Sequence, residues 1–419
     1  MPSVPKPEFV SGCSNAQVGL TFQDSRRLPI YGWYPYVEGF SAPYVRNVLE
    51  RYGTPRNVYD PFGGSGTTQL AASQLGIPSW YSEINPFMVF VADTKIQSVI
   101  SARKDLDGTE ALVNEYTERL HSELDEWAAK ADLSSYEQAF PGRNFFEEKH
   151  LRDLLGALSL GDQVGEKNPT VRSLFRLACA ANAVGCSNMT RRADLRRRRD
   201  DEYKNRVVDV KSAVTSTVSS MLEDIRTQGS DNAPATFASG DCRSIGPEYH
   251  DAFELAVTSP PYLNGTNYFR NTKIELWLLG YIETEADLGQ FRSRSVAAGI
   301  NNVSRRSSYR LFDPVESVAE RLDRAATDKR IPMLVRHYFS DMSEVLASVH
   351  RVLLPGGRFV LDIGDSKFYG VHVPTDNLLI DVAQTVGLSL ESDSVLAKRY
   401  SRDKSELVQR ELVFRKEIA

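Results

Sequence analysis

Val58-Tyr59-Asp60-Pro61-Phe62-Gly63-Gly64-Ser65-Gly66-Thr67-Thr68, followed by Gln69-Leu70-Ala71-Ala72, reads as a strand, a glycine-rich turn and then a helix. The glycines let the backbone come close to a ligand and take up positive φ. Thr67 and Thr68 are candidate caps for the helix that follows. Two familiar loop types fail on spacing. A phosphate loop needs Gly-x4-Gly-Lys-Ser/Thr, and the Lys-Ser/Thr pair is missing here. A dinucleotide loop needs Gly-x-Gly-x-x-Gly, and these glycines are spaced otherwise.

The next strand signal downstream, Ser79-Trp80-Tyr81-Ser82, ends in Glu83-Ile84-Asn85-Pro86. An acidic residue at the tip of a second strand suits a two-point hold on ribose hydroxyls. Much further along, within Phe253-Glu254-Leu255-Ala256-Val257-Thr258, the run Leu255-Ala256-Val257 has the length and composition of a buried strand. It runs into Ser259-Pro260-Pro261-Tyr262, where two prolines stop the ladder because neither can donate to it. The result is a stiff loop at a strand's carboxyl end, the place where open α/β sheets hold their ligands. It offers a hydroxyl (Ser259), carbonyls fixed by proline geometry and an aromatic face (Tyr262). Such a set suits a planar base whose exocyclic amine hydrogen-bonds to the loop.

Together these motifs resemble the amino-methyltransferases of DNA, which methylate N4 of cytosine or N6 of adenine. The resemblance covers about residues 27–95, 236–280 and 336–415. It implies an α/β fold: a Rossmann-like S-adenosylmethionine methyltransferase sheet with helices on both faces, plus a largely helical insert. It implies an S-adenosylmethionine pocket built from Asp60, Pro61, Phe62, Gly63, Gly64, Ser65, Gly66, Thr67 and Thr68. Glu83 would take the ribose, with Ile84 beside it. Phe237-Ala238-Ser239-Gly240-Asp241-Cys242-Arg243 looks like the third strand and its tip, placing Asp241 and Cys242 near the adenine. Phe40 and Ser41, ahead of an amphipathic helix from Tyr44 to Tyr52, would contact the methionine end. Ser259, Pro260, Pro261 and Tyr262 would form the catalytic loop, and a serine in its first position favours cytosine N4. His350 to Arg358 followed by Phe359-Val360-Leu361-Asp362-Ile363-Gly364-Asp365 reads as a helix end, a Pro-Gly-Gly turn and a buried strand, and Glu411 to Phe414 as a final strand.

The organisation expected along the chain is a cofactor half at 27–95, a helical insert at 96–235, a catalytic-loop half at 236–280, a basic loop region at 281–335 and the end of the catalytic domain at 336–419. The insert and the basic region are both candidates for target recognition. Period-3.6 stretches fill the insert from Leu112 to Trp127, Leu151 to Leu160, Leu174 to Val184 and Val207 to Ile225.

The composition is that of an ordinary globular chain: 419 residues, 41% hydrophobic and 25% charged. Nothing at the N-terminus reads as a signal peptide, and no run approaches the ~20 apolar residues of a membrane span. A soluble, cytoplasmic protein is therefore expected, with no membrane partner. The four cysteines form no Cys-x-x-Cys pair and the six histidines no metal-spaced cluster, so no metal is expected. No Pro-Cys dipeptide occurs, which argues against methylation of cytosine at C5.

The net charge of −5 shifts attention from total charge to its distribution. Two segments are locally basic, 190–201 and 292–310. Arg191, Arg192, Arg305, Arg306 and Arg310 are the candidate contacts to DNA, against the alternative of solvated charge runs. The substrate expected is double-stranded DNA, with a cognate restriction endonuclease as the further partner. Methylation of adenine N6 or of RNA is the alternative activity. A non-catalytic binding subunit is the reading from another class, and the complete set of motifs counts against it.

Overall fold

The computed structural model describes residues 25–418, apart from 37, 38, 40, 192–194, 204, 205, 230, 264–267, 304–307 and 401–403. Its strands, in chain order, are β1 (Val58–Asp60), β2 (Ser79–Ser82), β3 (Met189–Arg191), β4 (Leu195–Arg197), β5 (Ala235–Ser239), β6 (Phe253–Thr258), β7 (Leu353–Gly364), β8 (Ser366–Phe368), β9 (Val371–Val373), β10 (Leu388–Tyr400) and β11 (Glu406–Lys416).

Seven of them form one sheet in the order β10-β11-β7-β6-β1-β2-β5. From β5 to β7 all neighbours are parallel, whereas β11 runs antiparallel to both β7 and β10. Each parallel step needs a crossover, and helices supply it on both faces. The sheet is α/β and Rossmann-like, as expected.

Alternation along the strands sorts the core into two faces. Leu255, Val257, Val360 and Val413 turn to one side, against Tyr44, Val45, Val48 and Leu49 of the helix Ala42–Arg51. Ala256, Phe359, Leu361, Leu412 and Phe414 turn to the other, against the long helix Arg330–Val352 and the helix Thr375–Gln384. Fully burying one such side chain contributes about 1.5–3 kcal/mol, so a one-residue slip of any central strand would be expensive.

Between β2 and β5 lie the helices Leu106–Ala129, Glu148–Val164, Pro169–Cys186 and Val210–Thr227. They share one continuous apolar core with Tyr81 and Phe87 of the β2 region, so the insert is packed onto the sheet. It also contains a feature its arginine-rich sequence concealed, the short antiparallel hairpin β3-β4.

The parallel register brings four strand ends together. Tyr59 is level with Trp80 on one side and Ala256 on the other, and Trp80 with Thr236. The loops after β1, β2, β5 and β6 therefore open at the same edge of the sheet, where an open α/β fold holds its ligands.

Candidate active site

The first wall of the site is the loop after β1. Asp60 ends that strand and is fully buried. Its Oδ1 accepts hydrogen bonds from the Phe62 amide (2.9 Å) and from the Thr258 hydroxyl (2.6 Å). Burial pushes the Asp60 carboxyl above its ordinary range, and the hydrogen bond from Thr258 opposes that shift. The glycines that follow are used for space and for handedness. A Cβ on Gly63 would stand 2.6 Å from the Tyr81 ring, and Gly64 and Gly66 sit at φ 50° and 84°. The cap expected of Thr67 or Thr68 is not made by either residue. Gly66 takes the N-cap position without a side-chain bond, and the threonines are the first two residues of the helix Thr67–Gln74.

Beneath this loop lies Lys95, inside the π-helical turn Thr94–Ser98 and 1% exposed. Its Nζ donates to the carbonyls of Ser65 (3.1 Å) and Tyr31 (3.2 Å). Desolvation pulls its pKa down to about 7. Sequence reasoning missed it, although a lysine within the apolar stretch Pro86 to Ile100 was a usable signal.

The second wall is the tip of β2. Glu83 Oε2 accepts from the Gly64 amide at 2.9 Å, and its Oε1 accepts from the Asn85 amide at 2.8 Å. Desolvation raises its pKa to about 7, with those amides pulling the other way. The carboxylate is thus anchored by backbone donors at one end of a cleft, an arrangement that fits a pair of hydroxyls on a ligand.

The third wall is the tip of β5. Asp241 and Cys242 both line the cleft. Asp241 is held by Arg243, whose Nη2 and Nε reach its two oxygens at 2.8 and 3.0 Å. Burial pushes the Cys242 thiol well up, leaving a small neutral wall.

The fourth wall is Ser259-Pro260-Pro261 after β6. The Pro261 carbonyl accepts from the Tyr338 hydroxyl at 3.1 Å, so the long helix behind it braces the loop. Tyr262 follows in the same loop and is not among the lining residues. Its hydroxyl donates to Asp362 Oδ1 at 3.0 Å, and the Gln409 amide donates to both oxygens of Asp362 at 2.8 and 3.0 Å. Burial lifts Asp362 to about 6.

One cleft is therefore lined by Pro61, Phe62, Gly63, Gly64, Ser65, Thr67, Glu83, Ile84, Asp241, Cys242, Ser259, Pro260 and Pro261, together with Tyr268, Arg294 of the basic segment, and Tyr36 and Phe269, the last two of which sequence reasoning did not single out. Asp60, Gly66, Thr68 and Tyr262 belong to the same loops without being part of the lining. Ser41 is fully buried and caps the helix Ala42–Arg51 through the Tyr44 amide (3.4 Å), so its contact is with the helix instead of the cleft. Phe40 lies outside the described residues.

The candidate DNA contacts divide differently. Arg191 is 9% exposed in its side chain and pairs with Glu275, itself 1% exposed, at 2.6 Å. It also donates to the Tyr34 hydroxyl at 3.0 Å. That guanidinium is built into the interior and is not presented to a phosphate. Arg310 is exposed, with its guanidinium 5.0 Å from the centre of the Phe312 ring. Arg192, Arg305 and Arg306 lie outside the described residues. Among the described residues, no group of three His, Cys, Asp or Glu side chains is placed to hold a metal, and no helix is long and apolar enough to cross a membrane.

Over 411 residues the chain is 23% identical to the type II methyltransferase M.AvaI of Nostoc sp., covering 90% of this chain and 83% of that one. It is also 23% identical over 424 residues to the type II methyltransferase M.BsoBI of Geobacillus stearothermophilus, covering 88% and 80%. These relatives are type II methyltransferases. The match spans nearly the whole of this chain, including both motif loops and the insert between them. A crystal structure of a SAM-dependent methyltransferase from Methanosarcina mazei aligns with 89% of this chain and 98% of its own, at 9% identity and a TM-score of 0.32. No family model matches.

Proposed function

We propose that the chain is a site-specific DNA methyltransferase that transfers a methyl group from S-adenosylmethionine to the N4 amine of a cytosine swung out of duplex DNA, in a restriction-modification setting. The observation that carries this reading is that the glycine loop, Glu83, Asp241 and Ser259-Pro260-Pro261 line one cleft at the carboxyl edge of the sheet.

The cleft suits the cofactor. Gly64 keeps the loop bare beside Glu83, and a Cβ on Gly240 would meet nothing within 4 Å, so space is kept open along the wall. Glu83 would hold the ribose hydroxyls, Asp241 and Cys242 the adenine, and the 61–65 loop the methionine end. When bound, S-adenosylmethionine supplies an already activated methyl group.

The chain's own work is on the base. An exocyclic amine is a poor nucleophile because its lone pair is delocalised into the ring. The Ser259 hydroxyl and the Pro260 carbonyl would accept from that amine, drawing the nitrogen towards sp³ and localising the lone pair. Holding both reactants in line supplies most of the remaining effect. The amine lies inside the duplex, so the base must leave the stack, and the Tyr262 side would receive it. The Ser-Pro-Pro-Tyr form of the loop favours cytosine over adenine.

The exposed Arg310 and the basic stretch around it are the proposed phosphate contacts. The test is transfer of labelled methyl to plasmid DNA, followed by digestion with endonucleases of known site. Label incorporation with acquired protection at one site supports the proposal, and absence of both overturns it.

A further inference from the structure

Arg399, on β10, stands over the aromatic ring of the loop described above. Its Cζ lies 5.5 Å from the Tyr262 ring centre. Its Nε and Nη2 are buried and have no hydrogen-bond partner among the described residues. Leaving buried N–H donors unmet is costly, more so on a charged group, so such a pair of donors calls for an explanation. Room for this guanidinium has been cleared. Any side chain at Gly364 would collide with Arg399 and come within 3.1 Å of the Tyr262 ring. Its charge is also felt locally, because Arg399 helps hold down the Asp362 carboxyl to which Tyr262 donates.

We infer that Arg399 is a base-reading residue. In the free protein its guanidinium covers the face of Tyr262. On base entry it moves to the edge of the base and donates from its unmet N–H groups to the ring nitrogen there. Guanidinium has the right form for this task, since it is planar, stacks on rings and presents paired N–H groups to adjacent acceptors. Cytosine and adenine both carry an acceptor ring nitrogen beside the amine-bearing carbon. Arg399 would therefore select a base with an acceptor at that point and orient its amine towards Ser259. This inference rests on the proposed methylation of a base.

The test is a cycle crossing a protein change with a base change. Duplexes carry at the target position either the natural base or its deaza analogue, 3-deazacytosine or 1-deazaadenine, which keeps the amine and loses that ring nitrogen. Wild type and R399A are each assayed for kcat/KM on both, with S-adenosylmethionine affinity measured alongside. The deaza change alters the intrinsic reactivity of the amine equally for both proteins, so this effect cancels in the cycle. R399A should lose about 10- to 100-fold on the natural base, the size of a hydrogen bond to a charged group, and keep its cofactor affinity. The deaza penalty seen in wild type should shrink by a similar factor in R399A. R399K should recover only part of the loss. Equal deaza penalties in the two proteins would overturn the inference, as would an unchanged kcat/KM in R399A. A wild type that binds cofactor but methylates no DNA would instead overturn the proposed function.

Discussion

Thr258 and Asp60 are joined side chain to side chain, the threonine hydroxyl donating to Asp60 Oδ1 at 2.6 Å across 198 residues of sequence. Asp60 ends the strand that leads into the glycine loop, and Thr258 immediately precedes Ser259. The bond therefore ties the glycine-loop wall to the Ser259 wall at their common root. Thr258→Val should lower transfer about 10-fold or more by leaving a buried carboxylate short of a donor, at a stability cost of about 1–3 kcal/mol. Thr258→Ser should recover most of both. Paired measurements of kcat and thermal midpoint for the two variants check this, and a valine variant with wild-type kcat would show that the link is dispensable.

Glu83 is held by the Gly64 and Asn85 amides, and its pKa is raised to about 7 from an ordinary 4.5. The ionised form is the better acceptor for two hydroxyls, so cofactor affinity should rise as pH increases from about 6 to 8. The stability of the free protein has the opposite sign. A carboxyl raised on folding holds more protons folded than unfolded, so its contribution falls as pH rises from about 4.5 towards 7. Glu83→Gln should weaken S-adenosylmethionine binding by about 10-fold or more and flatten its pH dependence. Calorimetric titrations at pH 6, 7 and 8 decide this.

Lys95 gives a further pH signature. Its pKa is lowered on folding, from 10.5 to about 7, so the folded state favours the neutral amine. Stability from this group is complete above about pH 10.5 and is lost as pH falls towards 7. The thermal midpoint of wild type should drop over that interval more than that of Lys95→Met. Parallel curves for the two proteins would show that the lysine does not titrate in this way.

Arg191 should behave as a core residue. Truncating one partner of a buried pair leaves an uncompensated charge and costs about 3–5 kcal/mol. Arg191→Met should therefore lower the denaturation midpoint sharply, whereas Arg310→Ala should leave stability alone and weaken DNA binding, with a shallower salt dependence. Fluorescence-monitored denaturation and DNA titrations at two salt concentrations separate the two arginines.

Most of the sheet was legible because its parallel strands carry local punctuation. Glycines after Asp60, Glu83 after Ser82 and the two prolines after Ser259 each mark where a strand must end. The strand β10 was not legible. Its middle, Glu391-Ser392-Asp393-Ser394, is polar throughout and lies at the sheet's edge, where little apolar patterning is needed. The hairpin β3-β4 was concealed for a related reason. An arginine run reads as solvated surface, and only the fold shows that Arg191 faces Glu275, 84 residues away. The bond between Thr258 and Asp60 and the brace from Tyr338 to Pro261 join distant parts of the chain, so no local pattern could signal them.

The most direct test is mass spectrometry of nucleosides digested from duplex DNA after incubation with the protein and labelled S-adenosylmethionine, run beside Ser259→Ala. Labelled N4-methylcytosine is expected with wild type, and a loss of at least about 100-fold in the variant while its cofactor affinity is unchanged. Cofactor bound by wild type with no label in any base of DNA would contradict the proposed function.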